Sequence, residues 1–442
     1  MPTKQDIIER VEAEDVKFIR LQFTDMTGQM RNLAITVPKL MQALDNKVLI
    51  DGSMLKGVLC MEDCDLCLHP DLDTFAIFPW RPHSGRVARL ICDIYTSDGK
   101  PLMCDPRMVL KREISRAEKM GYTFNVGPEC EFFLFNTDDD GNPTIVPADE
   151  ASSFDLAPLD NGENCRRDIC LNLEEMGYTV EYSQHEMGKG QHEIVFHHET
   201  ALETADKLIT FKNVVKTIAK RNGLHATFMP KPFTDDCGSG MHLRFLMFKD
   251  GKNIFYSEND TKHLSETAYK FLAGLLKYTA DMSCLTNPIV NSYKRFTPGF
   301  DAPCYISWSS QNSSLLVKIP PQPYPEDACI EFRSPDPSAN PYLAIAACLK
   351  AGLDGIEKDI QLPPSVDVNI HNLSNREKEM LGIKNLPISL NEAIKIARES
   401  DFITELLGRQ FKDAYLNTKA EEYRLYGRTV TQWEVDNYLI KY

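Results

Sequence analysis

Residues 127–133 read Gly-Pro-Glu-Cys-Glu-Phe-Phe, and an apolar run continues through Phe135. The apolar residues favour a buried strand, which we predict over residues 123–135. Alternate side chains of a strand share a face, so Glu129 and Glu131 would point the same way. Two such carboxylates are costly beside apolar residues unless a cation or a basic partner is present. The simpler alternative is a solvated strand face.

On the C-terminal side of about residue 105, the pattern alternates strands with long helices. Asp105 and Pro106 match an N-cap followed by proline at the first helical position, and Gly121 fits the residue after a helix end. Further strands are predicted at residues 179–183, 193–198, 225–228, 242–248 and 330–333. Further helices are predicted at residues 165–176, 202–222, 265–280, 341–356 and 390–399. Ser389 and Glu392 suggest a capping box for the last of these, and the final ~50 residues are predicted to be helical.

The first hundred residues predict a smaller, strand-rich module. A helix is expected over residues 3–14 with Thr3 as N-cap, and a hairpin over residues 16–37 with its turn at Thr27-Gly28. A short helix at 38–45 and two strands, at 74–78 and 87–95, complete this module. We therefore expect two domains, at residues 1–105 and 106–442.

Composition excludes several classes of protein. The 442 residues include 49 Lys and Arg against 64 Asp and Glu, a formal charge of −15, which disfavours direct binding to nucleic acid. No run of 18 apolar residues is present, so no membrane span is expected, and the N-terminus shows no signal-peptide pattern. The 13 cysteines follow no regular framework, which is typical of reduced thiols in a cytosolic protein.

Two more segments carry acidic and imidazole side chains. Residues 185–193 read His-Glu-Met-Gly-Lys-Gly-Gln-His-Glu, where a turn could bring Glu186 and Glu193 to one place. Residues 236–242 read Asp-Cys-Gly-Ser-Gly-Met-His, where glycines permit close backbone approach and His242 could bind a metal. A lone histidine is, however, more often a core residue with satisfied hydrogen bonds.

A third same-face pair, Glu331 and Arg333, follows on a short predicted strand. Carboxylates with one imidazole are ligands for Mg²⁺ or Mn²⁺ rather than for a thiolate-bound zinc. Several such ligands could hold two divalent ions, which suits phosphoryl transfer. Together these segments indicate a metal–nucleotide enzyme.

A competing pattern is Cys60-x3-Cys64-x2-Cys67. This spacing is used by enzymes that hold an iron–sulfur cluster with S-adenosylmethionine, and such a cluster needs three convergent thiolates. The downstream sequence lacks a Gly-Gly-Glu-type methionine-binding segment, and chance spacing in a cysteine-rich chain is the simpler interpretation.

Taken in order along the chain, the motifs resemble those of type I glutamine synthetases, in particular the shorter bacterial and archaeal form. The segments that carry this resemblance are Asp51-Gly52-Ser53, Pro70-Asp71-Leu72-Asp73-Thr74, Gly127-Pro128-Glu129-Cys130-Glu131, Gly190-Gln191-His192-Glu193, Gly238-Ser239-Gly240-Met241-His242, Asn291-Ser292-Tyr293-Lys294-Arg295 and Asn340-Pro341-Tyr342-Leu343-Ala344. The resemblance implies an α+β fold with an N-terminal β-grasp domain. It also implies a larger catalytic α/β domain whose antiparallel strands form a funnel with helices outside.

The resemblance also implies an activity and an assembly. The family phosphorylates the γ-carboxylate of glutamate with ATP, and ammonia then displaces phosphate to give glutamine. The implied assembly is a cytoplasmic dodecamer of two hexameric rings, with active sites between neighbouring subunits and with possible nitrogen-regulatory protein partners. The implied cofactors are ATP and two or more Mg²⁺ or Mn²⁺ ions per site.

Roles for individual residues follow from the same resemblance. One ion would be held by Glu131, Glu186 and Glu193, and the other by Glu129, His242 and Glu331. The residues implied to act on substrates are Gly238 and His242 for glutamate, Arg295 and Arg333 for its carboxylate or the transferred phosphoryl group, Lys318 and Arg244 for the nucleotide, Asp51 for ammonium, and Asp301 on a catalytic flap.

Several positions depart from the family pattern inside the implied site. Arginines of the family are replaced by Ser313, Lys318 and Cys329, and a flap glutamate is replaced by Asp301. Other departures in the site are Cys237, Arg244 and Leu246. Cys60 stands where many short-form members carry an arginine used in feedback inhibition by glutamine. All six metal positions remain. Three hypotheses therefore stay open: a glutamate–ammonia ligase, a γ-glutamyl ligase for another amine, and a weakly active or inactive regulatory member.

Overall fold

The computed structural model describes residues 2–55, 65–300, 302–312, 315–322, 324–368, 370 and 373–442. The described N-terminal part contains, in chain order, α1 Lys4–Ala13, β1 Val16–Thr24, β2 Met30–Thr36, α2 Leu40–Leu44, β3 Val48–Asp51, β4 Asp65–Ile77 and β5 Arg86–Thr96. The five strands form one sheet in the order β2-β1-β5-β4-β3, in which β1 and β5 are parallel and the other neighbours antiparallel.

Local sequence signals predicted most of this module. The Thr3 hydroxyl accepts a hydrogen bond from the Asp6 N–H at 3.2 Å, which caps α1 as expected. The predicted hairpin is confirmed as β1 and β2. The predicted strand at 74–78 is wrong in extent, because β4 begins at Asp65. β3 pairs with residues 65–68 and β5 with residues 66–71, so the strand continues through Pro70 on the β5 side, and its register with β5 shifts between Asp71 and Ala76.

The remainder of the chain alternates strands and helices. Its described elements are α3 Pro106–Lys119, β6 Thr123–Thr137, β7 Pro143–Pro147, α4 Glu163–Glu175, β8 Val180–His185, β9 Gln191–Phe196, β10 Glu199–Thr200, α5 Ala201–Arg221, β11 Leu224–Thr227, β12 Met241–Lys249, β13 Lys252–Asn253, α6 Glu266–Thr286, α7 Ser292–Arg295, β14 Tyr305–Ile306, β15 Trp308–Ser309, β16 Val317–Lys318, β17 Ile330–Phe332, α8 Pro341–Glu357, α9 Asn375–Met380, β18 Lys384–Asn385, α10 Leu390–Glu399, α11 Asp401–Leu407, α12 Arg409–Tyr426 and α13 Gln432–Tyr438.

The long strand β6 organises the larger sheet, whose main path runs β15-β16-β17-β12-β6-β9-β8. Neighbouring strands on this path are antiparallel except β15 and β16. Val126, Cys130 and Phe132 of β6 belong to the main hydrophobic core. Because side chains alternate along a strand, Glu129 and Glu131 point to the other face. The predicted buried strand with two same-face carboxylates is therefore confirmed.

The helical C-terminal region is also confirmed, with one correction at its first cap. The Ser389 hydroxyl accepts the Glu392 N–H at 3.2 Å, as predicted, but the Glu392 carboxylate accepts the N–H of Ile388. The reciprocal half of the expected capping box is therefore missing. Gly408, at φ +76°, separates α11 from α12. No helix among the described residues has the length and apolarity needed to cross a bilayer.

A buried arginine joins the two parts of the chain. Arg107, at the start of α3, is 2% exposed. Its guanidinium lies 2.7 Å from carboxylate oxygens of Asp71 and Asp93, both in the N-terminal sheet, and 2.8 Å from Asp206 on α5. The Tyr342 hydroxyl donates to Asp206 at 2.6 Å. The main core also includes side chains from the N-terminal module, and the domain boundary at residue 105 stays a prediction.

Candidate active site

Strand register brings four of the predicted ligands to the centre of the larger sheet. His242 on β12 lies opposite Glu129 on β6, and Glu193 on β9 lies opposite Glu131. Directly opposed residues of antiparallel strands are close neighbours on one face. The spacing within β6 therefore places two acidic groups side by side. The flanking strand β12 adds His242 to the group of Glu129, and β9 adds Glu193 to the group of Glu131.

The first group contains Glu129, His242 and Glu331. The Nδ1 atom of His242 is 3.3 Å from Glu129 Oε2 and 3.8 Å from Glu331 Oε1. One ligand atom from each residue lies within 4.8 Å of the others. Glu331 arrives from β17, which pairs with β12. This set of two carboxylates and one imidazole fits a divalent cation such as Mg²⁺ or Mn²⁺.

The second group contains Glu131, Glu186 and Glu193. The Gln184 amide donates to Glu186 Oε1 at 2.6 Å and to Glu193 Oε2 at 3.1 Å, so the expected turn does bring the latter two together. Burial raises the pKa of Glu193 to about 10, and the neighbouring carboxylates add to the shift. Burial and the charge of Glu186 raise the pKa of Glu131 to about 8. Such crowding is what a bound divalent cation would relieve.

Two glutamines of this group were missed from the sequence. Gln191 donates to Glu131 Oε2 at 2.7 Å and to the Gly238 carbonyl at 3.3 Å, and Gln184 contacts the two other carboxylates. Gln191 shares a strand face with Glu193, two residues further on, so strand alternation was the signal available. Gln184 lies opposite Glu193 in the ladder, which the sequence does not reveal.

Basic side chains surround the acidic groups. Arg333 Nε is 3.2 Å from Glu331 Oε1, and Lys318 Nζ is 3.5 Å from Glu331 Oε2. Arg295 on α7 donates to the carbonyls of Ser334 and Arg333 at 3.0 and 3.2 Å. A cavity beside them is lined by six of the predicted site residues: Glu131, Glu186, Gly238, His242, Arg295 and Arg333.

The glycine segment before His242 allows this close packing. A Cβ atom placed on Gly240 would lie 2.6 Å from His242 Nε2 and 2.8 Å from an Arg295 guanidinium nitrogen. One placed on Gly238 would lie 2.5 Å from the Pro230 carbonyl oxygen. A larger residue at position 238 would clash with backbone, and one at position 240 would displace the ends of the His242 and Arg295 side chains from their present positions.

Arg244 lies beside the first acidic group. Its Nε is 3.3 Å from Glu129 Oε1, and an Nη atom is 3.2 Å from Glu181 Oε2. It occupies the ladder position opposite Glu331. Cys329 is buried in this region, and burial raises the pKa of its thiol to about 12, so the thiolate is scarce at neutral pH.

Other predicted residues lie apart or outside the described chain. Asp51 is exposed at the end of β3, and its carboxylate accepts the Ser53 N–H and hydroxyl at 2.9 and 2.6 Å. Asp301 and Ser313 lie outside the described residues, as do Cys60 and Cys64 of the three-cysteine pattern. Cys67 lies on β4 and donates to the Asn46 carbonyl at 2.8 Å.

Two acidic groups suited to divalent ions, with several cations around them, define an enzyme class that acts on anionic substrates with metal ions. Comparison with known proteins gives the family. The model of the glutamine synthetase β-grasp domain matches residues 15–97, and that of the glutamine synthetase catalytic domain matches residues 103–438. The chain belongs to the glutamine synthetase family, whose members are ATP-dependent ligases. The expected α+β fold with a β-grasp domain is confirmed.

Individual relatives agree over the full length. The chain is 51% identical to a glutamine synthetase of Clostridium saccharobutylicum and 48% identical to one of Staphylococcus aureus, in each case over 100% of this chain and 99% of the relative. A solved structure of GmaS with ADP is 30% identical at a TM-score of 0.89, covering 98% of this chain and 99% of that one. A Plasmodium falciparum glutamine synthetase, 23% identical at a TM-score of 0.88, covers 99% of both chains and shares the fold.

Proposed function

We propose that this chain is a glutamate–ammonia ligase, which forms glutamine from glutamate, ammonium and ATP through γ-glutamyl phosphate. The observation that carries the proposal is a pair of adjacent acidic groups. The group around Glu129 has its ligand atoms within 4.8 Å of one another. The group around Glu131 is joined by hydrogen bonds from Gln184 and Gln191, and Arg295 and Arg333 lie beside it. The glutamine synthetases at 48–51% identity support this reaction over a γ-glutamyl ligase for another amine or an inactive member.

The metal ligands proposed are Glu131, Glu186 and Glu193 for one ion and Glu129, His242 and Glu331 for the other. When bound, these ions would neutralise negative charge on the phosphates and on the transferred phosphoryl group. The oxygen-rich ligand sets and the raised pKa values of Glu131 and Glu193 support this assignment. In the proposed mechanism the protein orients these carboxylates through Gln184 and Gln191.

The cations and the cavity have separate proposed roles. Substrate glutamate would lie in the cavity against Gly238 and His242, with Arg295 binding its carboxylate. Arg333, held beside Glu331, would stabilise charge on the phosphoryl group as it is transferred. Lys318 and Arg244 lie at the same end of the site as Glu331 and Glu129, where we place the ATP phosphates.

Exposed Asp51 would act on ammonium in the site of a neighbouring subunit. That role requires the proposed cytoplasmic dodecamer of two hexameric rings, to which nitrogen-regulatory proteins would bind. Asp301 keeps its proposed place on the catalytic flap. A carboxylate at the ammonium position would favour the cation and accept its proton before attack.

A direct assay tests the proposed reaction. Purified protein is incubated with Mg²⁺ or Mn²⁺, ATP and glutamate, and phosphate release and glutamine are measured with ammonium and then with a panel of amines. We expect both products with ammonium. Phosphate release only with an organic amine would show that this amine, and not ammonium, is the nitrogen substrate. No release under any condition, from protein shown by light scattering to be assembled, would contradict a catalytic function.

Arg244→Met tests the proposed nucleotide contact. Losing a charge-assisted hydrogen bond, at about 1.5–3 kcal/mol, should raise the KM for ATP roughly 10- to 100-fold. The KM for glutamate should change little, because Arg244 does not line the cavity in which glutamate is placed. The matched Arg244→Lys variant keeps the charge, so its KM for ATP should lie between those of the wild type and Arg244→Met. An unchanged KM for ATP in Arg244→Met would remove this residue from the nucleotide site.

Divalent ions should stabilise the folded protein. At 100 times the dissociation constant, a ligand specific for the folded state adds about 2.7 kcal/mol, so Mg²⁺ should raise Tm and EDTA should reverse the rise. Glu193→Gln should reduce this metal-dependent rise. In EDTA the same variant should be more stable than the wild type at neutral pH, because it removes one of the crowded carboxylates.

The sign of that effect follows from the pKa of Glu193, which lies above its ordinary value of 4.5 in the folded chain. Folding then takes up a proton between that value and about pH 10, so this residue makes the metal-free protein less stable as pH rises through that range. Thermal unfolding in EDTA at several pH values measures the slope, which should be shallower in Glu193→Gln. Identical slopes would contradict the prediction.

A further inference from the structure

A buried pair of side chains lies directly behind the metal ligand Glu186. The His185 ring is 1% exposed, and its Nδ1 is 2.7 Å from the backbone carbonyl oxygen of Glu186. Its Nε2 is 2.8 Å from Asp149 Oδ1. Since a carbonyl and a carboxylate can only accept, both ring nitrogens donate, and the ring connects the Glu186 backbone to the Asp149 carboxylate.

Asp149 also holds the other end of the same turn. Its Oδ1 accepts the N–H of Gly190 at 3.1 Å, and its Oδ2 accepts the N–H of Asn161 at 3.0 Å. Gly190 stands at φ +63°, and a Cβ there would lie 2.7 Å from the Leu134 carbonyl oxygen. One carboxylate therefore fixes both ends of the segment from Glu186 to Gly190, which carries one metal ligand and leads directly into the strand that carries another.

The same region includes a cluster that resembles a metal site, formed by Asp149, Asp160, His185 and His192. Arg166 already supplies its cation. One guanidinium nitrogen lies 2.8 Å from Asp160 Oδ2 and 2.8 Å from His192 Nδ1. A divalent ion would have to share this space with a buried guanidinium, so the cluster is better explained as an internal hydrogen-bond network than as a third ion site.

We infer that Asp149 and His185 are positioning residues that aim the Glu186 carboxylate at the ion it shares with Glu131 and Glu193. This inference rests on the proposed function, because it needs that ion to bind. Carboxylate–histidine partners of metal ligands change metal affinity by about 10- to 100-fold when they are removed. Here Asp149 and His185 act through the backbone of Glu186, which is a ligand of only one of the two proposed ions. Their removal should therefore weaken the binding of that ion and not of the other.

The test measures Mn²⁺ binding to the intact wild-type protein and to Asp149→Asn. The electron paramagnetic resonance signal of free Mn²⁺ disappears as the ion binds, so the lost signal gives the amount bound. The wild type should bind two ions per chain. Asp149→Asn should bind one of them about 10- to 100-fold more weakly and the other unchanged. Glu186→Gln should weaken the same ion, which identifies it.

A second pair of variants keeps the inference testable if Asp149→Asn folds poorly. His185→Asn retains a donor near the Nδ1 position and should preserve more affinity than His185→Gln, whose amide lies closer to the Nε2 position. Asp160→Asn is the matched control, since Asp160 belongs to the same buried network but makes no described hydrogen bond to residues 185–190. It should keep both affinities even if its Tm falls.

Three results would overturn the inference: unchanged Mn²⁺ binding in Asp149→Asn, equal weakening of both ions, or the same weakening in Asp160→Asn. The last two would indicate a purely structural role. If the wild type itself binds no Mn²⁺, the metal assignment in the proposed function fails first, and the positioning role fails with it. The inference fails by itself, with the metal assignment intact, only if the wild type binds two ions and one of the three results above is also found.

Discussion

Replacing Glu331 by glutamine is expected to lower kcat by about 10³-fold, equivalent to about 4 kcal/mol of lost transition-state stabilisation. Three basic side chains surround Glu331: His242, Lys318 and Arg333 lie 3.8, 3.5 and 3.2 Å from its carboxylate. Glutamine keeps the shape but removes the charge needed to bind a cation. It also leaves Lys318 and Arg333 without the negative charge of Glu331, so these two side chains should change position.

The measurement is steady-state glutamine formation at saturating ATP, glutamate and Mg²⁺. Glu326→Gln is the matched control, because Glu326 is exposed and precedes the same strand. It should keep kcat within twofold of the wild type. Activity of Glu331→Gln within threefold of the wild type would show that this carboxylate is not part of the catalytic site. A loss of helical content in the variant would instead report misfolding, so circular dichroism accompanies the assay.

The largest effect on stability is expected from Arg107→Met. This change keeps most of the side-chain volume but leaves the carboxylates of Asp71, Asp93 and Asp206 without their shared cation. Breaking a buried ion pair from one side destabilises a protein by about 3–5 kcal/mol. Because the three carboxylates belong to β4, β5 and α5, the loss should also loosen the N-terminal sheet from the rest of the chain.

Urea unfolding followed by circular dichroism measures the change in the free energy of unfolding. Lys119→Met is the control, since Lys119 lies exposed at the end of the same helix. It should change stability by less than about 0.5 kcal/mol. The acidic partners offer a reciprocal check: Arg107→Met combined with Asp206→Asn should recover part of the loss, because it removes one uncompensated charge. A variant as stable as the wild type would refute the role of Arg107.

Local patterns in the sequence predicted the parts of the site that depend on strand alternation. Glu129 and Glu131 could be placed on one face because an apolar run marked β6 as a buried strand, and alternate residues share a face. The turn between Glu186 and Glu193 was visible in its glycines. The same local reasoning failed for β4, where pairing on both sides extends a strand that its proline and aspartates disguise.

Residues joined by long-range contacts could not be found in this way. In the sequence Arg107 looks like an ordinary helix residue. In the structure it contacts carboxylates from two strands and from another helix. Asp149 reads as a loop aspartate, yet its carboxylate contacts the His185 ring, which binds the Glu186 carbonyl, and it accepts the N–H of Gly190 at the other end of the turn. Neither residue belongs to a periodic pattern, so no sequence signal marked them.

The sequence by itself determined the family, the strand faces and the identity of the acidic and basic groups, because these depend on residue type and on spacings of a few residues. Only the tertiary structure decided which groups meet. His242 lies opposite Glu129 because of the register of β12 against β6. It contacts Glu331 diagonally, because the register of β12 against β17 places Glu331 opposite Arg244, two residues further on. That register is set by packing of the opposite, apolar face of the sheet, which involves residues far apart in the chain.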